Sequence, residues 1–119
     1  MGPTVLLYNL GEESTAIAMV CSQMGLTCHQ VPGMEQGQTL AAVLGLMPPG
    51  GSLGTVGGAM LVFWATPPEK MDAFLAQLRQ QGLGLGALKA VATATNLNWP
   101  GPKLFTELRR EHRAMGGRF

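Results

Sequence analysis

The chain has 119 residues and a formal net charge of +1, and this length is typical of one domain. Hydrophobic residues make up 46% of it and charged residues only 13%, against roughly 25% charged residues in an average soluble domain. This composition excludes a disordered chain and predicts a single domain over residues 1–119. Because the surface carries little charge, we expect the chain to form a homo-oligomer or to be covered by a partner.

The charges are divided unevenly along the chain. Residues 1–66 contain no lysine or arginine and sum to −3, whereas the remainder sums to +4. Arg109, Arg110 and Arg113 fall in one segment near the end, which fits either a helix that contacts phosphate or a solvated helix face. Since the net charge gives no general attraction to polyanions, the sequence disfavours nucleic-acid binding, and weak binding through this basic helix is kept as an alternative.

The cysteine and histidine content argues against a metal site. Cys21, Cys28, His29 and His112 do not have the spacing of zinc ligands, so we expect no metal and no cofactor. Residues 36–68 are uncharged, but prolines and glycines interrupt them too often for a membrane-spanning helix. Because no secretory leader is recognisable, a cytoplasmic protein with reduced thiols and no membrane association is expected.

The first half of the chain predicts strand, helix, strand and short helix, at residues 5–8, 16–24, 26–31 and 39–47. The run from Val5 to Tyr8 is continuously apolar, which indicates a strand buried on both faces. Glu12 and Glu13 favour the N-terminus of the first helix, and Gly25 ends it. The second strand is more polar and is expected near the edge of the sheet, and Pro48 ends the second helix.

The second half predicts strand, helix, strand and helix, at residues 59–65, 67–81, 88–95 and 104–115. Thr66, Pro67 and Glu69 form a capping box at the start of the third helix. Gly82 ends this helix, and Gly116 is expected to end the last one.

This alternation of strands and helices predicts an α/β fold. We expect a small three-layer domain, in which a four-stranded, mostly parallel sheet of strand order 2-1-3-4 has helices on both faces. The alternative is a ferredoxin-like α+β sandwich, whose antiparallel sheet would need only a hairpin between the second and third strands. Residues 32–58 are too long for a hairpin and include a helix, which favours the parallel sheet. Within this connection, residues 48–58 are rich in glycine and proline and are expected to form a flexible loop.

The direction of the strands decides where a ligand site would lie. If the first, third and fourth strands run the same way, their carboxyl ends meet at one edge of the sheet and bring polar side chains together. The predicted ligand-binding residues are Asn9, Thr66, Thr93, Thr95, Asn96, Asn98 and Trp99. Such a cluster suits a small polar ligand that lies against the Trp99 ring. The alternative is that the Thr and Asn side chains satisfy turn backbone and Trp99 packs over the start of the next helix.

No arrangement of catalytic residues is evident, so the leading hypothesis is a non-enzymatic ligand-binding or regulatory module. The alternative is a small enzyme that uses Lys89 or Cys28 as its nucleophile. Against it, a lysine on an edge strand commonly keeps its charge in water. In addition, Cys28 and His29 are neighbours in a strand and should point to opposite faces. The sequence therefore does not decide whether the chain is an enzyme.

Five groups of short motifs along the chain carry a family resemblance. They are Leu7-Tyr8-Asn9, Gln38-Thr39-Leu40 with Leu44-Gly45, Met60-Leu61-Val62-Phe63, Leu88-Lys89-Ala90 with Thr93, Thr95-Asn96 and Trp99, and Glu107-Leu108 with Glu111-His112 and Met115. Together they resemble a small bacterial family known only as a domain of unknown function. The resemblance spans about Val5 to Met115, and its most specific part runs from Lys89 to Trp99. It implies a bacterial, cytoplasmic protein of one domain, and it supplies no activity and no catalytic residue.

Overall fold

The computed structural model describes residues 2–114, within which the chain forms four strands and four helices. The strands are β1 (Thr4–Tyr8), β2 (Thr27–Gln30), β3 (Met60–Trp64) and β4 (Leu88–Val91). The helices are α1 (Ser14–Gln23), α2 (Leu40–Val43), α3 (Pro68–Gln81) and α4 (Gly101–Ala114). Short 3-10 turns precede three of the helices, at Gly11–Glu13, Gly33–Glu35 and Asn96–Asn98. The predicted end of the last helix, at Met115 and Gly116, lies outside the described residues.

The two central strands have the most apolar sequences. Every residue of β1 is buried, and in β3 only Trp64 is partly exposed. Because side chains alternate between the faces of a strand, Val5 and Leu7 enter the core on one face, and Leu6 and Tyr8 enter the core on the other. A strand that supplies two cores needs a continuous apolar run rather than an alternating one.

The four strands form one mixed sheet in the order β2-β1-β3-β4. Two neighbouring pairs are parallel: β1 with β2, where Thr4 lies opposite Thr27, and β3 with β4, where Met60 lies opposite Leu88. The central pair, β1 with β3, is antiparallel. The predicted α/β class, strand order and mostly parallel pairing are confirmed, and the antiparallel ferredoxin-like sandwich is not the observed fold.

The expectation that β1, β3 and β4 share one direction is wrong. β3 and β4 run opposite to β1, because the connection from β2 to β3 starts and ends at the same edge of the sheet. Helix α2 in this connection has four residues, which span about 6 Å, whereas a five-residue strand spans about 17 Å. The connection folds back on itself instead, since the Thr39 N–H donates to the Gly50 carbonyl at 2.9 Å and the Ser52 N–H donates to the Gly37 carbonyl at 2.8 Å. A long connection therefore need not be a crossover.

Helices cover both faces of the sheet, as predicted. On the first face, α1 contributes Ile17 and α3 contributes Phe74, whose ring meets Phe63 of β3 edge to face with 5.7 Å between centroids. On the second face, α2 contributes Leu40 and α4 contributes Phe105. The domain thus has three layers and two buried cores, one on each side of the sheet.

The start of α3 differs from the predicted capping box. Pro67 is the N-cap residue, and no side chain makes a capping hydrogen bond there. The Thr66 hydroxyl donates to the Trp64 carbonyl at 3.1 Å instead. Between them Ala65 has a positive φ of 55°, and this sharp turn brings the Thr66 hydroxyl to β3 rather than to the helix. At the other end, Gly82 closes α3 with a left-handed φ of 68°, as predicted.

Two predicted elements are shorter in the structure. The helix predicted at residues 39–47 is the single turn α2, whose N-cap Thr39 accepts a backbone hydrogen bond. The chain leaves this helix before Gly45, where φ is 77°, and not at the following proline. The strand predicted at residues 88–95 ends at Val91, because the residues after it form a turn of their own.

Candidate functional site

The strand directions separate the predicted ligand-binding residues. Asn9 follows the carboxyl end of β1, whereas Thr66 and Thr93 follow the carboxyl ends of β3 and β4. Since β1 is antiparallel to β3, Asn9 lies at the opposite edge of the sheet from Thr66 and Thr93. The structure therefore does not bring the seven predicted residues into one hollow.

The polar segment after β4 satisfies its own turn. Asn96 Oδ1 accepts the Thr93 N–H at 2.8 Å, and the Thr93 hydroxyl accepts the Asn96 N–H at 3.2 Å. The Asn96 side-chain amide donates to the Val91 carbonyl at 3.1 Å. Thr95 and Asn98 are exposed beside these bonds. Because the side chains of Thr93 and Asn96 are used as partners for turn backbone, this geometry favours the structural interpretation of the segment.

Trp99 packs over the start of α4, which is also the structural interpretation. Its carbonyl accepts the Leu40 N–H at 3.1 Å, and Lys103 Nζ lies 4.6 Å from the centroid of its ring. The backbone of Trp99 is thus bonded to α2, and its indole lies beside the first turn of α4. A ligand-binding role for the seven predicted residues stays a prediction.

A cavity lies at the edge of the sheet where Asn9 is found, outside the carboxyl ends of β1 and β2. It is an open cleft of about 740 Å³, which we call the β1–β2 cleft. Its lining comes from three segments of the chain, within residues 7–14, 30–36 and 55–59. Asn9 belongs to this lining, and the other six predicted residues do not.

The β1–β2 cleft forms where the chain leaves two neighbouring strands toward opposite faces. After β1 the chain enters α1 on the first face, and after β2 it continues to α2 on the second face. In α/β sheets such a divergence leaves a crevice outside the carboxyl ends of the strands. The turn after β1 has left-handed backbone at Asn9 (φ 58°) and Gly11 (φ 59°), a conformation that asparagine and glycine tolerate best. Gly11, Gly33, Gly57 and Gly58 contribute backbone without side chains to the lining of the crevice.

Asn9 and Gln36 form a hydrogen-bonded clamp that joins the three lining segments. The Asn9 amide donates to the carbonyls of Val56 and Gly58 at 2.9 and 3.1 Å. Gln36 is only 3% exposed, donates to Asn9 Oδ1 at 2.9 Å and accepts the Val56 N–H at 2.9 Å. Since protein groups already satisfy both side chains, the Asn9–Gln36 clamp shapes the cleft and is not its main contact with a ligand.

The groups left for a ligand are hydroxyls, the Gln30 side-chain amide and backbone. Within residues 2–114, the hydroxyls of Ser14 and Thr55 in the lining make no side-chain hydrogen bond. Gly11 and Gly33 present bare backbone, because a Cβ added at either position would meet nothing within 4 Å. Among residues 2–114, no titratable side chain belongs to the lining. The cleft itself therefore offers hydrogen bonds without charge.

Two carboxylates close to the cleft in sequence, those of Glu13 and Glu35, make contacts with other segments of the chain. Glu13 Oε1 accepts the Gly84 N–H at 2.6 Å and so ties α1 to the loop after α3. Glu35 Oε1 lies 3.5 Å from His29 Nε2, a contact that is an ion pair when the imidazole is protonated but that lacks hydrogen-bond geometry. These contacts position the walls of the cleft.

Lys89, one candidate nucleophile, is held by its own loop. Its Nζ donates to the carbonyls of Gly84 and Ala87 at 2.9 and 2.8 Å. Burial lowers the pKa of this ammonium, and the nearby Arg79 lowers it further. Because both carbonyls bind the protonated form, the contacts favour an anchor for the loop over a nucleophile.

Cys28, the other candidate nucleophile, faces Cys21 rather than His29. Both free thiols belong to the core on the first face, and the alternation of β2 directs His29 to the other face, as predicted. The pair perturbs its own ionisation: the hydrogen bond between the two thiols lowers the pKa of Cys28, and the same bond and burial raise the pKa of Cys21. Cys28 thus has no general base beside it.

Within residues 2–114, no three His, Cys, Asp or Glu side chains lie close enough together to hold a metal ion. None of the helices in the same range has the length and apolarity needed to cross a membrane.

The fold and the cleft define a small three-layer α/β domain with a mixed four-stranded sheet. Residues 59–115 match the model of a family described as a domain of unknown function (DUF3783), so this part of the chain is similar to that family. The match begins directly before β3 and includes β4 and the Lys89 to Trp99 segment, which confirms the resemblance seen in the sequence over this range. No curated protein and no solved structure matches the chain.

Sequence reasoning found the turn at residues 93–99 and missed most of the cleft. The cleft lining is a mixture of glycine backbone, hydroxyls, amides and aliphatic side chains, which carries no chemical motif. The signal that was available is positional: Gly11 and Gly33 come three and two residues after the ends of the first two predicted strands, and Gly57-Gly58 precedes the third. Glycine at the exit of adjacent strands marks a place where backbone is left open to a ligand.

Proposed function

We propose that the chain is a non-enzymatic binding or regulatory module that holds a small polar ligand in the β1–β2 cleft. The observation that carries this proposal is the open cleft of about 740 Å³ at the carboxyl edge of β1 and β2, where the chain diverges to opposite faces. Small-molecule sites commonly have volumes of about 300–1,000 Å³ and occur at such switch points.

The lining supports binding rather than catalysis. It offers the Ser14 and Thr55 hydroxyls, the Gln30 side chain and glycine backbone, which suit hydrogen bonds to a polar ligand. The described residues of the lining include no titratable side chain, whereas proton transfer by a general acid or base needs such a group within hydrogen-bond reach. Lys89 and Cys28 do not line the cleft, so an enzyme built on either residue would need another site.

Two further parts of the proposal, self-association and a cytoplasmic location, rest on the composition of the chain. The low content of charged residues supports self-association, and the two free cysteines are consistent with a cytoplasmic location.

A thermal-shift screen of small polar metabolites tests the proposal. A ligand present at 100 times its Kd adds about 2.7 kcal/mol to the free energy of unfolding and raises Tm accordingly. Gly33→Leu is designed to block the cleft, since Gly33 lies in the lining and an added Cβ meets nothing within 4 Å. Gly50→Leu is the matched control, because Gly50 lies outside the lining and its nearest neighbour to an added Cβ is 3.9 Å away.

We expect at least one compound to raise the Tm of the wild type and of Gly50→Leu but not of Gly33→Leu. The proposal is wrong if no compound raises Tm, or if the Gly33→Leu protein responds to each active compound as the wild type does.

A further inference from the structure

The outer face of α4 carries a second, smaller cavity beside the β1–β2 cleft. It is a depression of about 300 Å³ lined by Thr106, Arg109, Arg110 and Arg113. These residues follow a spacing of three, four and seven along the helix, which places them on one helix face. We call this cavity the arginine depression.

Two of its guanidinium groups have no acidic partner. Arg110 pairs with Glu107 of the same helix at 3.3 Å, whereas no carboxylate lies within 4.0 Å of Arg109 or Arg113 in the described part of the chain. Arg109 rests over the Phe105 ring, with 5.8 Å between its Cζ and the ring centroid. Like charges gathered in one depression repel each other, and a bound anion offsets that repulsion. The planar guanidinium also has the donor geometry that matches phosphate and carboxylate oxygens.

The arginine depression and the β1–β2 cleft meet at Gly57. This glycine belongs to the cleft lining, and a Cβ added to it would lie 3.4 Å from Phe105 Cε2 and 3.9 Å from Arg109 Nη1. The Arg109 guanidinium therefore lies beside the rim of the cleft. A ligand in the cleft that carries a charged group can reach it across Gly57.

We propose that the ligand of the β1–β2 cleft carries a phosphate-type oxyanion group, which Arg109 and Arg113 bind in the arginine depression while the polar body of the ligand lies in the cleft. This inference rests on the proposed function and adds the chemical class of the ligand. A single anionic group fits better than an extended polyanion, because residues 1–66 sum to −3 and Glu107 and Glu111 share the helix with the arginines.

Titration with inorganic phosphate, at an ionic strength held constant with sodium chloride, tests the inference by amide NMR. We expect saturable shifts at residues 106–113 and at Gly57. The double variant Arg109→Gln with Arg113→Gln should weaken phosphate binding about tenfold or more, as expected for the loss of charge-assisted hydrogen bonds. Arg79→Gln is the matched control, since Arg79 is an exposed arginine at the end of α3, outside the depression, and should bind phosphate as the wild type does.

The outcomes separate this inference from the proposed function. Shifts that do not saturate, or that are equal in the double variant, overturn the inference. A compound whose binding is blocked by Gly33→Leu but unchanged by the double arginine variant leaves the cleft as a ligand site and overturns only the oxyanion assignment. Binding of single-stranded DNA more tightly than phosphate, with a steep salt dependence, overturns it in favour of a nucleic-acid surface.

Discussion

The two edges of the sheet differ in how their polar groups are used. At the exit of β4, the side chains of Thr93 and Asn96 form hydrogen bonds with each other's backbone N–H groups, and the Trp99 ring contacts Lys103 of α4. At the exits of β1 and β2, the Asn9–Gln36 clamp fastens the loops and glycines leave a cleft of about 740 Å³ between them. The segment with the most polar side chains, residues 93–99, therefore forms a closed turn. The segments with fewer polar side chains border an open cavity.

This contrast shows that polar residue types alone do not locate a binding site. Thr and Asn in a short loop readily satisfy the loop itself, so their density is a signal for a turn. A site needs space and unsatisfied groups, and both follow from the direction in which the chain leaves each strand. The loop of residues 55–59 is held by Gln36 and bordered by Phe105, and it connects the cleft to the second core.

The largest expected effect comes from Gly101, at the junction of α4 with the Asn9–Gln36 clamp. A Cβ there would lie 2.5 Å from the Gln36 carbonyl oxygen and 3.2 Å from the Tyr8 ring. Gly101→Ala should lower the free energy of unfolding by about 3 kcal/mol, because overpacking of backbone exceeds the small gain in helix propensity. Gly33→Ala, whose Cβ meets nothing within 4 Å, should stay within about 0.5 kcal/mol of the wild type in urea unfolding. Equal stability of the two variants would show that α4 does not begin against the clamp.

A comparison of Gln36→Ala with Asn96→Ala sharpens the contrast between the edges. Gln36 is buried, and its loss leaves the Val56 N–H without its partner, which should cost about 2–3 kcal/mol. The hydrogen bonds of Asn96 are exposed to water, so Asn96→Ala should cost about 0.5–1 kcal/mol. Urea denaturation measures both values. If Asn96→Ala lost more free energy of unfolding than Gln36→Ala, the hydrogen bonds of the turn after β4 would contribute more to stability than those of the Asn9–Gln36 clamp.

The pH dependence of stability tests the burial of Tyr8, whose ring lies beside Gly101. Tyr8 is the single tyrosine of the chain, it is fully buried, and its hydroxyl has no hydrogen-bond partner among the described residues. Burial raises its pKa above the ordinary value of 10.0, and the negative charge of Glu35 adds to the increase. The folded state therefore holds this proton more tightly than the unfolded chain, so stability is unaffected below about pH 10 and falls as the pH rises above it.

Absorbance of tyrosinate and urea unfolding at alkaline pH check this expectation. Tyrosinate should appear only together with unfolding, and Tyr8→Phe should reduce the alkaline loss of stability while costing little near neutral pH, because the lost hydroxyl had no partner. A folded protein that forms tyrosinate at an ordinary pKa would contradict the burial of this ring.

Much of the fold could be predicted from the sequence because its signals are local. The apolar runs Val5 to Tyr8 and Met60 to Trp64 mark the central strands, and Gly82 marks the end of α3. The direction of β3 relative to β1 could not be predicted from length, since the connection after β2 folds back through backbone bonds that have no motif. The predicted capping box at Thr66 was wrong because the left-handed backbone at Ala65 turns the Thr66 hydroxyl toward β3.

The candidate site was predicted only as far as strand direction allowed. Placement at a carboxyl edge and the inclusion of Asn9 agree with the cleft, whereas Thr66 and Thr93 follow the carboxyl ends of β3 and β4, at the opposite edge of the sheet from Asn9. One wrong strand direction therefore moved six of the seven predicted residues away from the cavity.

Amide NMR with a compound that raises Tm is the most direct measurement of where the ligand lies. We expect the largest chemical-shift changes in the three segments that line the cleft, within residues 7–14, 30–36 and 55–59, and small changes at residues 93–99. The changes in the three lining segments should disappear in Gly33→Leu and persist in both Asn96→Ala and Trp99→Ala. Shifts centred on residues 93–99 that vanish in Trp99→Ala would contradict the assignment of the β1–β2 cleft.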